Sequence, residues 1–275
     1  FQENILSHMK ISVIGAGNMG GALIKGWAKA ARKNEMPEGL EITVTAKTQK
    51  TLDKMSEEFP ELHTTLDNTA AAADADIIIL AVKPWLINHV VEEITPTVNL
   101  NNQIIVSVAA NIQTSDLRNM FHDEHAQIFY AMPNIAAEFG ESMTFVAGAD
   151  GVSESSAESV RRLFSLVGAV KVCEERLIAA GMMMAGCGIA YVMRFIRAIM
   201  EGGVEMGFYP KDAQDIAMQT MKGAVTLLAE TGLHPEAAID KVTTPGGVTI
   251  KGLNELDHAS FNSAVIRCLK AGMKK

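Results

Sequence analysis

The chain is poor in aromatic residues, in cysteine and in net positive charge. Aromatics make up 5% of its 275 residues, there are three cysteines, and the formal net charge is −8. This acidic balance argues against a general nucleic-acid binder, which would carry a basic surface. The cysteines Cys173, Cys187 and Cys268 have neither metal-site spacing nor an even-numbered disulfide framework. They predict a reducing compartment, the cytoplasm, and no bound metal.

Long apolar runs and a secretory leader are also missing. No apolar stretch reaches the roughly 18 residues that a membrane-spanning helix requires, which predicts that the protein has no membrane partner. The N-terminus lacks a basic region followed by a long apolar stretch, so no secretory signal is expected. Residues 1–8 precede Met9 and are interpreted as an appended remnant outside the fold, with Met9 as the native start.

Apolar residues make up 48% of the chain, enough for a large core, and their pattern changes along its length. Short strand-like runs alternate with helix-like segments up to about residue 173, which predicts a mostly parallel, doubly wound Rossmann-type sheet over 9–173. The predicted strands are 10–14, 41–46, 76–82, 103–108, 127–131, 143–147 and 169–172. The remainder, 174–275, shows only helical spacing and is predicted to be an all-α domain.

Methionine is unusually frequent in this helical part. Eight of the 16 methionines lie between Met182 and Met221, in and after a long apolar helical region over 177–206. Methionine fills irregular gaps both in cores and at adaptable interfaces, so two interpretations stand. The stretch is either an ordinary core or an interface between subunits, and the small size of the domain favours the interface.

A glycine-rich segment, GAGNMG, follows the first strand and opens a helix. It fits the G-x-G-x-x-G pattern, and its strand–turn–helix context makes it a strong dinucleotide signal. Gly15 permits the tight turn, Gly17 lets the backbone approach a pyrophosphate, and Gly20 allows close helix packing. The N–H groups of Asn18 and Met19 would face the phosphates at the positive end of the helix dipole.

The end of the second strand indicates which nicotinamide cofactor is used. NAD-preferring sites carry an acidic residue there, whereas this chain has Lys47, Thr48, Gln49 and Lys50. Lysine attracts a 2′-phosphate that a carboxylate would repel, so NADPH is favoured, with NADH as the alternative. The other interpretation is that both lysines are merely solvated residues at a helix start.

A second unusual segment, TTPGGVT, occupies residues 243–249. A proline and two glycines make a sharp turn into a helix, which would leave the N–H groups of Gly247, Val248 and Thr249 free to bind an anion such as a carboxylate. The hydroxyls of Thr244 and Thr249 flank the same turn. From the residues alone, a plain capped helix start is equally consistent with the pattern.

Four motifs together resemble the pyrroline-5-carboxylate reductase family, in the right order and over nearly the whole chain. They are IGAGNMG at 14–20, AVKP at 81–84, MPN at 132–134 and VTTPGGVT at 242–249. The resemblance implies an NAD(P)H-dependent oxidoreductase that reduces the C=N bond of 1-pyrroline-5-carboxylate to give proline. It also implies a homodimer formed through the helical domain, with dimers joining into a decamer.

The resemblance further implies which residues bind each ligand. The substrate carboxylate would bind at Thr244, Gly246, Gly247 and Val248, and the hydroxyl of Thr249 would lie by the ring nitrogen as the catalytic group. The implied cofactor contacts are Gly15, Gly17, Asn18, Met19, Gly20, Lys47, Asn68, Ala81, Val82, Lys83, Pro84 and Ala110.

The chain also departs from the family pattern. Residues 185–191 read AGCGIAY where the family has SGSGPAY, Tyr130 replaces an arginine, and Asn111 replaces a glycine. These changes leave open a reductase of a related imine. A non-catalytic NADP-binding protein of the same fold is a separate alternative, which the retained turn over 244–249 disfavours, because a sensor needs no site for a substrate carboxylate. A hydroxyacid dehydrogenase of similar architecture is disfavoured, because its long interdomain helix would carry a lysine base that 182–191 lacks.

Overall fold

The computed structural model describes residues 6–33, 35 and 37–273, and these divide into two compact units that meet after Gly186. The first unit contains one eight-stranded sheet in the spatial order β3-β2-β1-β4-β5-β6-β7-β8. Its strands are β1 (Lys10–Ile14), β2 (Glu41–Thr45), β3 (His63–Thr65), β4 (Ile77–Leu80), β5 (Ile104–Ser107), β6 (Gln127–Met132), β7 (Ser142–Gly148) and β8 (Gly168–Val172).

All neighbouring strands of the sheet pair in parallel except β6 and β7, which pair antiparallel. The exception arises because β6 and β7 are joined by a short 3-10 turn, Ile135–Phe139, and a parallel pair would need a longer crossover. Every residue of β4 is buried, as expected for a central strand covered on both faces. The mostly parallel, doubly wound sheet predicted from the sequence is confirmed.

Helices cover both faces of this sheet. They are α1 (Asn18–Arg32), α2 (Gln49–Glu58), α3 (Asn68–Ala73), α4 (Ile87–Ile94), α5 (Thr114–Phe121), α6 (Glu154–Ser165) and α7 (Ile178–Gly181). One core cluster contains side chains from α1, α2 and α6, and the other contains side chains from α3, α4 and α5. Trp27 of α1 is fully buried, and its indole N–H donates to the carbonyl of Leu163 at 2.9 Å.

Two predicted boundaries of this unit need correction. Leu6, assigned to a remnant outside the fold, is 1% exposed and belongs to the core, whereas residues 1–5 lie outside the described residues. The boundary expected near residue 173 matches the last strand, but the compact unit continues to Gly186. It continues because Ile178 and Met183 are buried and Gly181 packs against the ring of Phe145.

The second unit, residues 187–273 of the described chain, is entirely helical where it has regular structure. Its helices are α8 (Gly188–Glu205), α9 (Pro210–Thr231), α10 (Pro235–Lys241), α11 (Val248–His258) and α12 (Phe261–Ala271). Helices α8 and α9 approach closely where a Cβ on Gly203 would lie 3.1 Å from the Cβ of Ala213. The predicted all-α character of this part is confirmed.

A continuous helical run extends from Glu175 to Glu205 and includes a π-helical turn at Met182–Gly186. By length and composition alone, this run is long enough to cross a membrane, so the expectation that no such stretch exists is wrong. Within the run, residues 178–193 contain no charged side chain, and glycine and alanine between the methionines keep this part from forming one unbroken block of large apolar residues. Core helices of water-soluble proteins share this composition, so the run by itself assigns no membrane role.

Candidate active site

The glycine-rich turn between β1 and α1 is held by the neighbouring strand. Gly15 has φ +106°, and a Cβ there would lie 2.8 Å from Val82 and 3.0 Å from the carbonyl oxygen of Ala81. The N–H groups of Gly15 and Ala16 both donate to the carbonyl of Thr45, at 3.2 and 2.9 Å. The turn therefore depends on glycine at position 15 and on the carboxyl end of β2.

The two other glycines of the turn have different surroundings. A Cβ at Gly17 would meet no protein atom within 4 Å, whereas one at Gly20 would lie 2.0 Å from the carbonyl oxygen of Gly15. The N–H groups of Asn18, Met19 and Gly20, in the first turn of α1, donate to no acceptor among the described residues. Gly17 thus leaves room for a ligand above these N–H groups, while Gly20 lets the helix pack on the turn.

A cleft of about 520 Å³ opens over the turn, where the strand order reverses between β1 and β4. Open α/β sheets bind ligands at this switch point. The cleft contains ten of the twelve predicted cofactor-binding residues. They are Gly15, Gly17, Asn18, Met19, Lys47, Ala81, Val82, Lys83, Pro84 and Ala110, joined by Ala16, Ala46, Thr51, Leu86, Val108, Ala109 and Ile135.

Asn68 and Gly20 are the two predicted residues that do not line the cleft, and both support it. The side-chain oxygen of Asn68 accepts the hydroxyl of Thr45 at 2.7 Å, and its amide donates to Glu93 at 2.9 Å. The carbonyl of Thr45 holds the glycine-rich turn, and the hydroxyl of Thr45 donates to Asn68. Asn68 is therefore connected to the cleft through Thr45. The direct cofactor contact predicted for Asn68 stays a prediction, and the structure adds a supporting role through Thr45.

The end of the cleft nearest β2 is cationic. Lys47 is exposed and lines the cleft together with Thr51, whereas Lys50, one helical turn away from the strand end, does not line it. The first turn of α2 contains no acidic residue. A ligand group bound here would meet the ammonium of Lys47 and the hydroxyl of Thr51, which suits an anion such as a 2′-phosphate.

The opposite side of the cleft depends on two residues that the sequence analysis did not place in the site. The hydroxyl of Tyr130 accepts the backbone N–H of Asn111 at 3.0 Å. Burial raises the pKa of Tyr130, and the nearby carboxylate of Glu175 raises it further. The only sequence signal was that Asn111 and Tyr130 are both departures from the family pattern, and the structure shows that they contact each other.

The threonine-rich turn lies in the second unit, immediately before α11. Gly246 has φ +73°, and a Cβ at Gly247 would lie 2.6 Å from the hydroxyl oxygen of Thr244. The hydroxyl-bearing residues Thr244 and Thr249 are both exposed. The turn thus brings the five predicted substrate-binding residues into one short segment, and its backbone needs glycine at both central positions.

One predicted anion donor of this turn is wrong. The N–H of Gly247 is not free, because it donates to the carbonyl of Thr244 at 2.9 Å. The N–H groups of Val248, Thr249 and Ile250 donate to no acceptor among the described residues. The free donors therefore begin one residue later than predicted and point along the first turn of α11.

Known families match both parts of the chain. A family model described as "Pyrroline-5-carboxylate reductase dimerisation" matches residues 175–275. A second model, described as "NADP oxidoreductase coenzyme F420-dependent", matches residues 10–111. The first begins close to the last strand of the sheet, and the second covers the strands and turns that form most of the cleft.

Individual proteins match over almost the whole chain. "Pyrroline-5-carboxylate reductase 1" of Dictyostelium discoideum is 36% identical over 270 residues, which are 94% of this chain and 47% of that protein, so the chain spans about half of its length. The pyrroline-5-carboxylate reductase of Synechocystis is 33% identical over 97% of both chains. A crystal structure of the Plasmodium falciparum pyrroline carboxylate reductase with NADP bound superimposes with a TM-score of 0.83 at 25% identity, covering 97% of this chain and 96% of that one.

Proposed function

This chain belongs to the pyrroline-5-carboxylate reductase family, and we propose that it reduces the cyclic imine of 1-pyrroline-5-carboxylate to proline with NADPH. The observation that carries the proposal is the cleft at the switch point of the sheet, built on the glycine-rich turn. The cleft fits a dinucleotide, and the threonine-rich turn before α11 has free N–H donors for a small carboxylate; these are the two ligand classes that the reaction needs.

The residues of the cleft fit a nicotinamide dinucleotide. A pyrophosphate would lie over Gly17, where a Cβ would meet no protein atom, and accept the N–H groups of the first turn of α1. The phosphates would also meet the ammonium of Lys83 at the end of β4. When bound, the reduced nicotinamide supplies the hydride, and the protein's part is to fix its position.

The threonine-rich turn would hold the substrate. The carboxylate would lie at Thr244, Gly246 and Val248 and would accept the unpaired N–H groups at the start of α11. The hydroxyl of Thr249 would hydrogen-bond the ring nitrogen and hold it as it changes from imine to amine. A protonated imine is already electrophilic, so the protein's main contribution is to align the reactants, which can supply several kcal/mol.

Lys47 is expected to set the preference for NADPH over NADH. Lys47→Gln should raise the Kd for NADPH about tenfold, since an exposed charge-assisted contact is worth roughly 1.5 kcal/mol, and should leave the Kd for NADH unchanged. Titration calorimetry with both cofactors measures this. The matched control is Lys54→Gln, at an exposed position outside the cleft on α2, the helix that follows Lys47. Equal losses for both cofactors would contradict the role of Lys47.

We propose that the helical unit forms a homodimer. Among residues 187–273, the buried ones are Gly188, Gly203, Ala213 and Ala217, so this unit buries no large side chain of its own. Of the eight clustered methionines only Met183 is buried, which supports the interface interpretation over the core interpretation. A groove of about 470 Å³ with an almost wholly apolar lining, including Val192 and Phe195, offers a place for a second copy.

Val192→Asp is expected to disrupt this dimer. The side chain is 49% exposed and lines the groove, so a carboxylate there would be desolvated only when a second copy covers it. Light scattering after size exclusion should report the 29.6 kDa protomer instead of an oligomer. Val172→Asp, 55% exposed in the first unit, is the control. The mass of the wild-type protein also tests the expected decamer, which would have ten times the mass of the protomer.

We propose a cytoplasmic location, which the three free cysteines support, because reducing compartments keep thiols unpaired.

The proposed reductase activity is tested by following NADPH absorbance with and without 1-pyrroline-5-carboxylate. Turnover that requires the imine supports it. NADPH binding without turnover would instead indicate a non-catalytic protein of this fold, and turnover only with another cyclic imine would indicate a related reductase.

A further inference from the structure

The loop between β5 and α5 forms one wall of the cleft. Val108, Ala109 and Ala110 line the cleft at the side away from Lys47. Since the β2 end of a switch-point cleft takes the adenosine half of a dinucleotide, this wall would face the nicotinamide half. Its backbone position therefore bears on where the hydride donor would lie.

The backbone of this loop is held by hydrogen bonds from the N–H groups on each side of Ala110. The N–H of Ala109 donates to the hydroxyl of Ser107 at 3.2 Å, and that of Asn111 donates to the hydroxyl of Tyr130 at 3.0 Å. The N–H of Ala110, between them, donates to no acceptor among the described residues. The two outer bonds leave the middle N–H available in the wall of the cleft.

Asn111 needs this support because its backbone is left-handed. Its φ is +63°, a region that costs most L-residues about 1 kcal/mol or more and that asparagine tolerates better than most. The loop passes from the strand into α5 through this residue. A hydrogen bond from the N–H of Asn111 therefore stabilises a left-handed backbone that the loop would otherwise adopt in only a fraction of the molecules.

The position of Tyr130 allows its hydroxyl to accept that hydrogen bond. It lies on β6 opposite Ser107, the last residue of β5, and it is only 6% exposed. The carboxylate of Glu175 fixes the far end of the loop, because it accepts both the N–H and the hydroxyl of Thr114, at 2.7 and 2.6 Å. The loop is thus anchored on both sides of Ala110. The hydroxyl of Ser107 holds it before Ala110, and the side chains of Tyr130 and Glu175 hold it after Ala110.

We infer that Tyr130 is a positioning residue for hydride transfer, which holds Ala110 in the cleft wall through the N–H of the left-handed Asn111. The inference rests on the proposed function, since it concerns the nicotinamide end of the cofactor. Tyr130 and Asn111 form a matched pair in it. A left-handed asparagine is stabilised by the bond to the tyrosine hydroxyl, whereas glycine adopts this backbone without steric cost.

Tyr130→Phe tests the inference, because it removes the hydroxyl and keeps the buried ring. We expect the Kd for NADPH to rise threefold to tenfold and kcat to fall by about the same factor, while the KM for the imine stays unchanged. Asn111→Gly should restore most of the loss in the Tyr130→Phe background, because glycine adopts the left-handed backbone without the hydrogen bond. Tyr209→Phe, at a 79% exposed tyrosine, is the control and should change none of these values.

The outcomes separate this inference from the proposed function. A Tyr130→Phe variant with a lowered Tm but wild-type kcat and NADPH Kd would overturn the inference, because a purely structural tyrosine gives that result. A loss that Asn111→Gly does not relieve would overturn it as well. A wild-type protein that binds NADPH but turns over no imine contradicts the proposed function, and the effect of Tyr130→Phe on the NADPH Kd still decides the inference.

Discussion

Gly20→Ala is expected to lower both the stability of the protein and its affinity for NADPH, whereas Gly17→Ala should lower the affinity alone. A Cβ at Gly20 would lie 2.0 Å from the carbonyl oxygen of Gly15, which is backbone and cannot move without deforming the turn. Overpacking of this kind costs about 1–3 kcal/mol, and a further clash with Ala81 adds to it. We expect Tm to fall by roughly 2–4 °C for each kcal/mol lost.

At Gly17 a Cβ meets no protein atom, so the folded chain should accept alanine without strain. The methyl group would project where the pyrophosphate is proposed to lie. Losing one charge-assisted backbone hydrogen bond, worth about 1.5–3 kcal/mol, should raise the Kd for NADPH about tenfold to a hundredfold. Calorimetric melting and NADPH titration of both variants measure the difference. If Gly17→Ala lowers the Tm, or if it binds NADPH as tightly as the wild type, then Gly17 does not have the proposed role of leaving room for the pyrophosphate.

Thr249→Ala is expected to lower kcat/KM for 1-pyrroline-5-carboxylate about tenfold to a hundredfold without changing the Kd for NADPH. The hydroxyl is proposed to bond the ring nitrogen, and a hydrogen bond to a charged group is worth about 1.5–3 kcal/mol. Thr249 follows the turn at the first residues of α11 and is exposed in the protomer, so its removal should leave the fold intact. Steady-state kinetics at saturating NADPH measures the effect.

Two further variants make the result specific. Thr249→Ser keeps the hydroxyl and should retain most of the activity. Thr231→Ala removes an exposed helix-end hydroxyl that donates to the carbonyl of Leu227, and it should have no effect on kcat/KM. If Thr249→Ala keeps wild-type kcat/KM, the hydroxyl does not act on the substrate.

The sequence predicts the architecture well where periodicity and glycine are decisive. The unbroken apolar run at β4 and the strand–glycine turn–helix at the start of the chain need little information beyond their own residues. The short β3 and α3 were not predicted, because a three-residue strand of sequence HTT carries no alternation to detect. The compact first unit extends past the last strand because a few buried side chains, such as Ile178, tie the next helix to it.

Within the site, the sequence predicts residues that lie on glycine-rich turns. It does not predict residues whose side chains hold other site residues in place. The glycine pattern identified the cleft, but whether Asn68 faces the ligand or Thr45 depends on the partners that folding brings to it. The same holds for the N–H of Gly247, which closes its own turn instead of remaining free. Tyr130 and Asn111 are 19 residues apart in sequence, and only the pairing of β5 with β6 brings them together.

We propose that this chain transfers a hydride from NADPH to the C=N bond of 1-pyrroline-5-carboxylate. The most direct measurement mixes the purified protein with both compounds and follows NADPH absorbance together with the proline formed. We expect NADPH loss that depends on the imine, with one proline formed for each NADPH oxidised. No imine-dependent oxidation of either NADPH or NADH would contradict it.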